Sequence, residues 1–366
     1  MIQVIDSNVV YRNQKAHLRA VNAWHPSIAL LDNGDLLSAF DLGQGPESLD
    51  YRTYLSRSKD EGKTWSAPQR WFEDPTARRT THTCRLSRTK DGTLLGFGTR
   101  AYREDPEVGL VNHENLGLVD MDVIHVQSHD GGQTWQGPHT IKTPLVGPAF
   151  ETCHSIVELQ DGRWLAPTST WRGWNGDEPN GMQAVAFVSH DRGKTWPEYM
   201  PVINGYAEGL ITWEQSIVQL ADGRLLALAW MFHEKSGNSF PSRYAISSDG
   251  KKFSAPQETG FLGQTAKMCR LNDGRILTLY RRQDKPGLWA NLARIDGDKW
   301  VTLSEAPMWQ GATAGMTGRT TPGEELSALK FGYPGMVQLA NGDIFAVFWC
   351  CEDCIFNIRW LKIRVA

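Results

Sequence analysis

Residues 155–169 read SIVELQDGRWLAPTS, residues 216–230 read SIVQLADGRLLALAW and residues 335–349 read GMVQLANGDIFAVFW. Each stretch sets β-branched, leucine and aromatic residues on both sides of an Asp-Gly or Asn-Gly pair, the strongest short-range signal for two strands joined by a tight turn. The pair recurs at Asn33-Gly34, Asp91-Gly92, Asp161-Gly162, Asp222-Gly223, Asp273-Gly274 and Asn341-Gly342, with glycines 58, 70, 61, 51 and 68 residues apart. Units of that length are too long for a solenoid repeat and suit a four-stranded propeller blade.

A second repeat runs in phase with the first. Ser58, Asp60, Gly62, Thr64 and Trp65 follow the pattern S-x-D-x-G-x-T-W, as do Ser128 to Trp135 and Ser189 to Trp196. Ser247, Asp249, Gly250 and Phe253 form a shorter version, and Asp296, Gly297 and Trp300 a worn one. Such a segment is a turn between strands: Ser and Asp bond neighbouring backbone, Gly permits positive φ, and Trp packs beneath the blade. The expectation is an all-β fold, a six-bladed β-propeller of four-stranded antiparallel blades. It would form a single domain over 1–366, its blades closed by the N- and C-terminal strands.

Composition narrows the function. The 38 basic residues nearly cancel the 41 acidic ones, so no field is available to hold a polyanion by charge, and nucleic acid is not an expected partner. No stretch approaches the roughly 20 apolar residues of a membrane span. Met1 to Lys15 lacks the basic start and apolar run of a signal peptide, so the expected location is cytoplasmic and no membrane partner is expected. Six Cys in so long a chain are not a disulfide framework, and Cys350, Cys351 and Cys354 have zinc-like spacing without a partner pair. All six read as reduced thiols. No metal and no cofactor is expected, and no G-x-S-x-G, P-loop or H-E-x-x-H motif occurs.

The repeats resemble those of the sialidase superfamily, where they are called Asp boxes or BNR repeats. The resemblance covers nearly the whole chain and implies the six-bladed propeller, but such repeats also occur in lectin-like, lyase and purely structural propellers.

Geometry separates two ends of the ring. In a four-stranded blade the hairpin turn and the Asp box both follow odd-numbered strands and share one end. The other end holds the starts of the inner strands, the ends of the second strands and the loops between blades. Nine residues before each turn glycine lie His25, Thr83, Cys153, Glu214, Thr265 and Tyr333, which converge on the axis. Trp24, His82, Glu151, His154, Trp213, Gln215, Gln264 and Lys267 neighbour them. Each polar group has a bland reading, as a solvated or hydrogen-bonded structural residue. Together a carboxylate, a phenol and several imidazoles are what acid and base chemistry requires.

The resemblance assigns roles to some of these positions. WEQSIVQLADG, from Trp213 to Gly223, looks like the family strand bearing the activating glutamate, and this implies that role for Glu214. GYPGMVQLANG, from Gly332 to Gly342, is similar to the strand bearing the tyrosine nucleophile, which implies Tyr333. The family acid lies on the loop matching Gly43 to Asp50, where Glu47 is nearest and Asp50 the alternative. Arg243 resembles the second arginine of the family's carboxylate-binding triad. The first position of that triad is filled by Trp24, in Trp24-His25-Pro26, and the third falls near Trp289-Ala290, with Arg281 at the end of the preceding strand. The chain therefore looks like a sialidase-fold enzyme whose substrate pocket has been rebuilt, with the sugar left open.

The expected partner is a carbohydrate, with Trp171 and Trp174 in a Gly-rich loop as platforms for sugar C–H faces, beside Arg281. The charged stretch from Arg100 to Asp120 is expected as a solvated loop. Three functions stay open. The first is an exo-acting glycoside hydrolase with Tyr333, Glu214 and Glu47 or Asp50. The second is a uronate lyase moving protons through Tyr333 and His25, His82 or His154, with Arg243 or Lys267 on the uronate. The third is a non-catalytic sugar-binding propeller. The oligomeric state is left open.

Overall fold

The computed structural model describes residues 1–152, 154–282, 284–285, 287–312, 325 and 328–366. Six antiparallel sheets surround one axis. Blade 1 comprises Asn22–Leu30, Leu36–Gly43, Arg52–Ser58 and Gln69–Arg70, and blade 2 comprises Thr80–Arg88, Leu94–Tyr102, Met121–Ser128 and Gln136–Thr140. In blade 3 the inner strand is interrupted, and its pieces Ala149–Glu151 and Val157–Glu158 both pair with Trp164–Trp171, followed by Ala184–Ser189 and Glu198–Ile203. Blade 4 is Leu210–Gln219, Leu225–His233, Arg243–Ser247 and Gln257–Glu258; blade 5 is Gly263–Arg270, Ile276–Arg282, Leu288–Asp296 and Lys299–Trp309. Blade 6 runs through Phe331–Gln338, Ile344–Glu352 and Ile355–Val365, and its outermost strand is the N-terminal Ile2–Tyr11.

The hairpin turns show why Asx-Gly was chosen six times. Leu31 and Gly34 close a turn (Gly34 N–H to Leu31 O, 3.0 Å), and Gly34 alone takes a positive φ, 85°. The connection is therefore a turn with glycine in a left-handed bulge, one step longer than the two-residue hairpin expected from the sequence. The residue before the glycine accepts a backbone N–H two positions on: Asp35 to Asn33, Thr93 to Asp91, Arg163 to Asp161, Arg224 to Asp222, Arg275 to Asp273 and Asp343 to Asn341, all at 3.0 to 3.1 Å. An Asn or Asp side chain has the reach for that bond.

The core lies between blades. Leu37, Leu55, Leu86 and Leu94 join blades 1 and 2, and Phe97, Ile156, Trp164 and Phe187 join blades 2 and 3. Trp360 and Phe345 of blade 6 meet Phe40 of blade 1 to close the ring. Asp boxes sit over these seams. A Cβ on Gly62 would come within 2.7 Å of Phe345, so that box needs glycine for contact as well as for its φ of 89°. Cys84, Cys269, Cys350, Cys351 and Cys354 form no disulfide among the described residues, and Cys153 lies outside them.

Candidate functional site

Among the described residues, four inner strands open with the same irregularity; the corresponding position of blade 3, Cys153, lies outside them. His25, Glu214, Thr265 and Tyr333 have φ of 48°, 50°, 52° and 53°. At each, two residues face one on the neighbouring strand, with register breaks between Trp24 and Ser27, Trp213 and Ser216, Gln264 and Lys267, and Gly332 and Gly335. A bulge with one left-handed residue bends the strand and re-aims its side chain, a costly conformation that persists where the surroundings enforce it. Blade 2 has no bulge: Thr83 pairs Thr99 in unbroken register, and a Cβ on the adjacent Gly98 would lie 1.8 Å from the Thr83 carbonyl oxygen. Counting back from the turn glycine therefore found the bulge.

The bulges surround a cavity of about 590 Å³ lined by His25, Glu214, Thr265 and Tyr333 together with Trp24, Tyr51, Arg85 and Arg281. Its mouth carries Glu47 and His113, and one wall is apolar, with Leu110, Val111, Leu118 and Met121. Leu110, Val111 and Leu118 come from the stretch expected as a solvated loop. It is instead pinned to blade 3 by Leu118 N–H to Arg172 O (2.9 Å) and by Trp171 Nε1–H to Leu116 O (2.7 Å).

Beneath the cavity lies a buried network. The Arg85 guanidinium donates through Nε to Tyr333 Oη (2.9 Å) and through Nη1 to Asp41 Oδ2 (3.2 Å). Asp41 also accepts from Thr53 (2.6 Å), Thr83 (2.6 Å) and Tyr51 (3.0 Å). Burial alone would push the Asp41 carboxyl up, but Arg85, His25 and the hydroxyl donors outweigh it and hold it below the usual range. Burial, with the Asp41 charge beside it, drives the Tyr51 phenol well above its ordinary value, so it stays protonated. Arg85 loses some basicity to burial and regains more from Tyr333 and Asp41, so it stays charged. The Lys267 ammonium sits 4.9 Å from the Tyr333 ring centre, and the Arg85 guanidinium 4.7 Å. Cations so placed stabilise negative charge on the phenol.

Glu214 faces Arg281, whose guanidinium donates through Nε to Gln264 Oε1 (2.8 Å) and through Nη1 to the Phe331 carbonyl (3.0 Å). Burial raises the Glu214 carboxyl against the pull of Arg281 and Lys267, and its Oε2 has no hydrogen-bond partner among the described residues. Burial lowers Arg281 to about 10, partly offset by Glu214, so it too remains a cation. Neither Arg85 nor Arg281 uses Nη2 in a hydrogen bond among the described residues, which leaves each a donor beside the cavity.

The structure places the other sequence-predicted residues as follows. Glu151 lines the cavity, and Trp24 packs its wall against Tyr51 and Phe356. Glu47 stands at the mouth, but its carboxylate is tied to the backbone N–H groups of Leu110 and Val111 and lies 3.6 Å from His113. Asp50 is exposed, away from the cavity, and caps its own loop by accepting from Ser48 (2.6 Å) and Gln44 N–H (3.1 Å). His82 stacks on Phe72 at 4.5 Å with neither nitrogen bonded, and burial brings it to about 3. His154 and Lys267 lie behind Tyr333, on a second cavity of about 440 Å³. His154 is bonded to Ser216 and the Ser155 carbonyl, and burial with Lys267 lowers it to about 3. Arg243 belongs outside the site: it lies on the third strand of blade 4 and pairs with Glu208 at 3.3 Å. Trp171 is buried against Trp213, and Trp174 uses its carbonyl to hold Asn112 and Asn115, so neither is a platform in the cavity.

Arg85, Asp41 and Tyr51 were not expected. A charged residue closing the apolar run Ser38-Ala-Phe-Asp41, at the end of a second strand, was the available signal for Asp41.

The model of a BNR repeat-like domain matches residues 108–346. No curated protein matches the sequence. Among solved structures, a protein of unknown function from Dyadobacter fermentans is similar over 100% of this chain and 99% of its own, at 21% identity and a TM-score of 0.77. The NanB sialidase of Streptococcus pneumoniae is similar over 97% of this chain and 70% of its own, at 12% identity and a TM-score of 0.66. An intramolecular trans-sialidase from Ruminococcus gnavus is similar over 99% of this chain and 97% of its own, at 14% identity and a TM-score of 0.64. At these identities the likeness is one of fold.

Proposed function

The chain belongs to the BNR repeat-like domain family and has a sialidase-like fold, and on that premise we propose that it is an exo-acting glycoside hydrolase that draws a terminal carboxylated sugar into the axial cavity. The observation that carries this reading is that Tyr333 and Glu214 stand on matching left-handed bulges and line one cavity, with Arg85 donating to the Tyr333 oxygen at 2.9 Å. Tyr333 Oη would attack the anomeric carbon as the glycosidic C–O bond breaks. Its proton would pass to Glu214, which burial makes a stronger base when ionised. The departing oxygen would gain its proton at the mouth, where Glu47 and His113 stand 3.6 Å apart. A tyrosine nucleophile suits a sugar whose own carboxylate would repel Asp or Glu. The Nη2 donors of Arg85 and Arg281 supply cationic partners for that carboxylate in place of the family triad.

The test is to incubate wild type, Tyr333→Phe and Glu214→Gln with sialosides, uronate oligosaccharides and neutral rhamnosides. Release of reducing sugar from an acidic glycoside, lost in both variants, is expected. Binding without turnover by wild type on every glycoside would leave a sugar-binding propeller. A second reading, elimination across a uronate, is favoured by one contact, His25 Nδ1 to Tyr51 Oη at 2.6 Å. It predicts the absorbance of an unsaturated uronate in place of simple hydrolysis.

A further inference from the structure

We infer that His25 is the group that accepts the proton of the attacking water, presenting an unprotonated Nε2 to the reacting centre because Tyr51 and Asp41 hold its proton on Nδ1. The inference rests on the reading that the axial cavity is where a sugar reacts. It replaces neither Tyr333 nor Glu214, and it supplies the base that their chemistry still lacks.

The tautomer follows from counting protons along three groups. Asp41 is a buried carboxylate that already accepts from Thr53, Thr83 and Arg85, so it can only accept. Tyr51 Oη lies 3.0 Å from Asp41 Oδ2 and has one proton, which must point there; the reverse would set an oxygen lone pair against an anion. With its proton committed, Tyr51 Oη can only accept from His25 Nδ1, 2.6 Å away. Asp41 Oδ2 itself lies 3.5 Å from the same nitrogen. The Nδ1 position is therefore protonated, and a neutral ring then has its lone pair on Nε2. That nitrogen has no hydrogen bond among the described residues, and about a third of the side chain is open to the cavity. The ring stands at a steep angle to that of Tyr333, centroids 5.2 Å apart, so the imidazole and the phenol share one wall of the cavity.

Burial, helped by two nearby cations, disfavours a charged ring at rest. Burial lowers His25 below 6.5; the Asp41 bond opposes this, while Arg85 and Arg281 add to it; the rings of Tyr51, Tyr333 and Trp349 pack around it, and Glu47, Glu151 and Glu214 line the same cavity. A neutral base next to an anion is ready to take a proton, because the imidazolium that forms is held by Asp41 through Tyr51. In the step that releases the sugar, a water oxygen bonds the anomeric carbon and its proton goes to His25 Nε2. The bond to Tyr333 Oη breaks, the phenolate keeps the electron pair, and Glu214 returns its proton. His25 then loses the extra proton to the conjugate base left at the mouth or to solvent.

Two measurements decide it. Long-range ¹H–¹⁵N spectra of histidine-labelled protein, with the His25 signals identified by their loss in His25→Asn, should show at pH 7 a neutral ring protonated on Nδ1, charging only below pH 6.5. Asn is chosen because it tolerates the left-handed backbone. In Tyr51→Phe, which removes the nearer acceptor and leaves only Asp41 Oδ2 at 3.5 Å, the share of the Nε2-protonated form should rise. A wild-type ring that is charged, or protonated on Nε2, at pH 7 overturns the inference whatever the substrate. With an acidic glycoside that wild type turns over, His25→Asn should lower kcat about 10²- to 10⁴-fold with KM changed little. The acid limb of wild-type kcat/KM should lie below pH 6.5 and move in Tyr51→Phe. Full kcat in His25→Asn would overturn the role. If no glycoside is turned over by wild type, the proposed activity falls, and the spectra alone judge the tautomer.

Discussion

The two ends of this propeller use repetition in opposite ways. At the turn end, side chains repeat and so do their bonds: Gly62, Gly132 and Gly193 donate N–H to Ser58, Ser128 and Ser189 at 2.8, 2.9 and 2.8 Å. Thr64, Thr134 and Thr195 donate hydroxyls to Asp60, Asp130 and Asp191 at 2.6, 2.6 and 2.7 Å. At the cavity end four blades share one backbone bulge, yet it carries His, Glu, Thr and Tyr. Repeated side chains with satisfied bonds mark a structural device. A repeated backbone with varied side chains, one of them the part-bonded Glu214, marks a place where chemistry was fitted.

Four substitutions can break or sharpen that contrast. Tyr333→Phe should lower kcat on an acidic glycoside by about 10³ or more, equivalent to roughly 4 kcal/mol of transition-state stabilisation. Its stability should fall by only about 1–3 kcal/mol, as Arg85 Nε loses an acceptor; retained activity in a steady-state assay would end the contrast. Arg85→Met should destabilise the fold by about 3–5 kcal/mol in urea titrations, because Asp41 becomes a buried charge without its cation. Asp191→Ala, at the turn end, should leave kcat unchanged and lower the thermal midpoint by about 2–4 °C. The sign with pH is fixed. Bonds from Thr195, outweighing what burial takes back, hold folded Asp191 at about 2, below its ordinary 3.8. Its stabilisation is complete above pH 4 and lost as pH falls through 2, so the gap between variant and wild type should close over that interval. Smallest of all, Arg243→Ala should leave kcat/KM within about twofold and stability within about 1 kcal/mol, since its partner Glu208 is a surface residue. A large loss of substrate affinity there would return Arg243 to the site.

The blades were legible because their signals are local. Asx-Gly turns and Asp boxes are satisfied within five or six residues, so sequence alone carries them. The bulge positions were legible for the same reason, being a fixed count from the turn glycine. The network beneath them was not. Arg85 meets Tyr333 across 248 residues and Asp41 across 44, and nothing local marks either contact. Arg243 was misjudged because likeness to a family motif gave its strand but not its distance from the axis. Trp171 and Trp174 were misjudged because a Gly-rich loop reads as open. The stretch around Asn112 to Leu118, itself charged and unremarkable in pattern, folds across and fills the space beside them.

The four bulges have a consequence for how such proteins diversify. A left-handed residue at the mouth fixes where a side chain projects, and the strand pairing on either side of it is made by backbone and does not depend on which side chain that is. Each position therefore behaves as a socket whose fitting can be exchanged one residue at a time while the ring stays intact. Thr265 is the least reactive of the four occupants, its hydroxyl donating to the Gln264 carbonyl at 2.7 Å and accepting from Tyr333 N–H at 3.3 Å: exchanging it for Asp or Asn, which can still accept that N–H, should install a new polar group at the mouth on a backbone already bent to receive it.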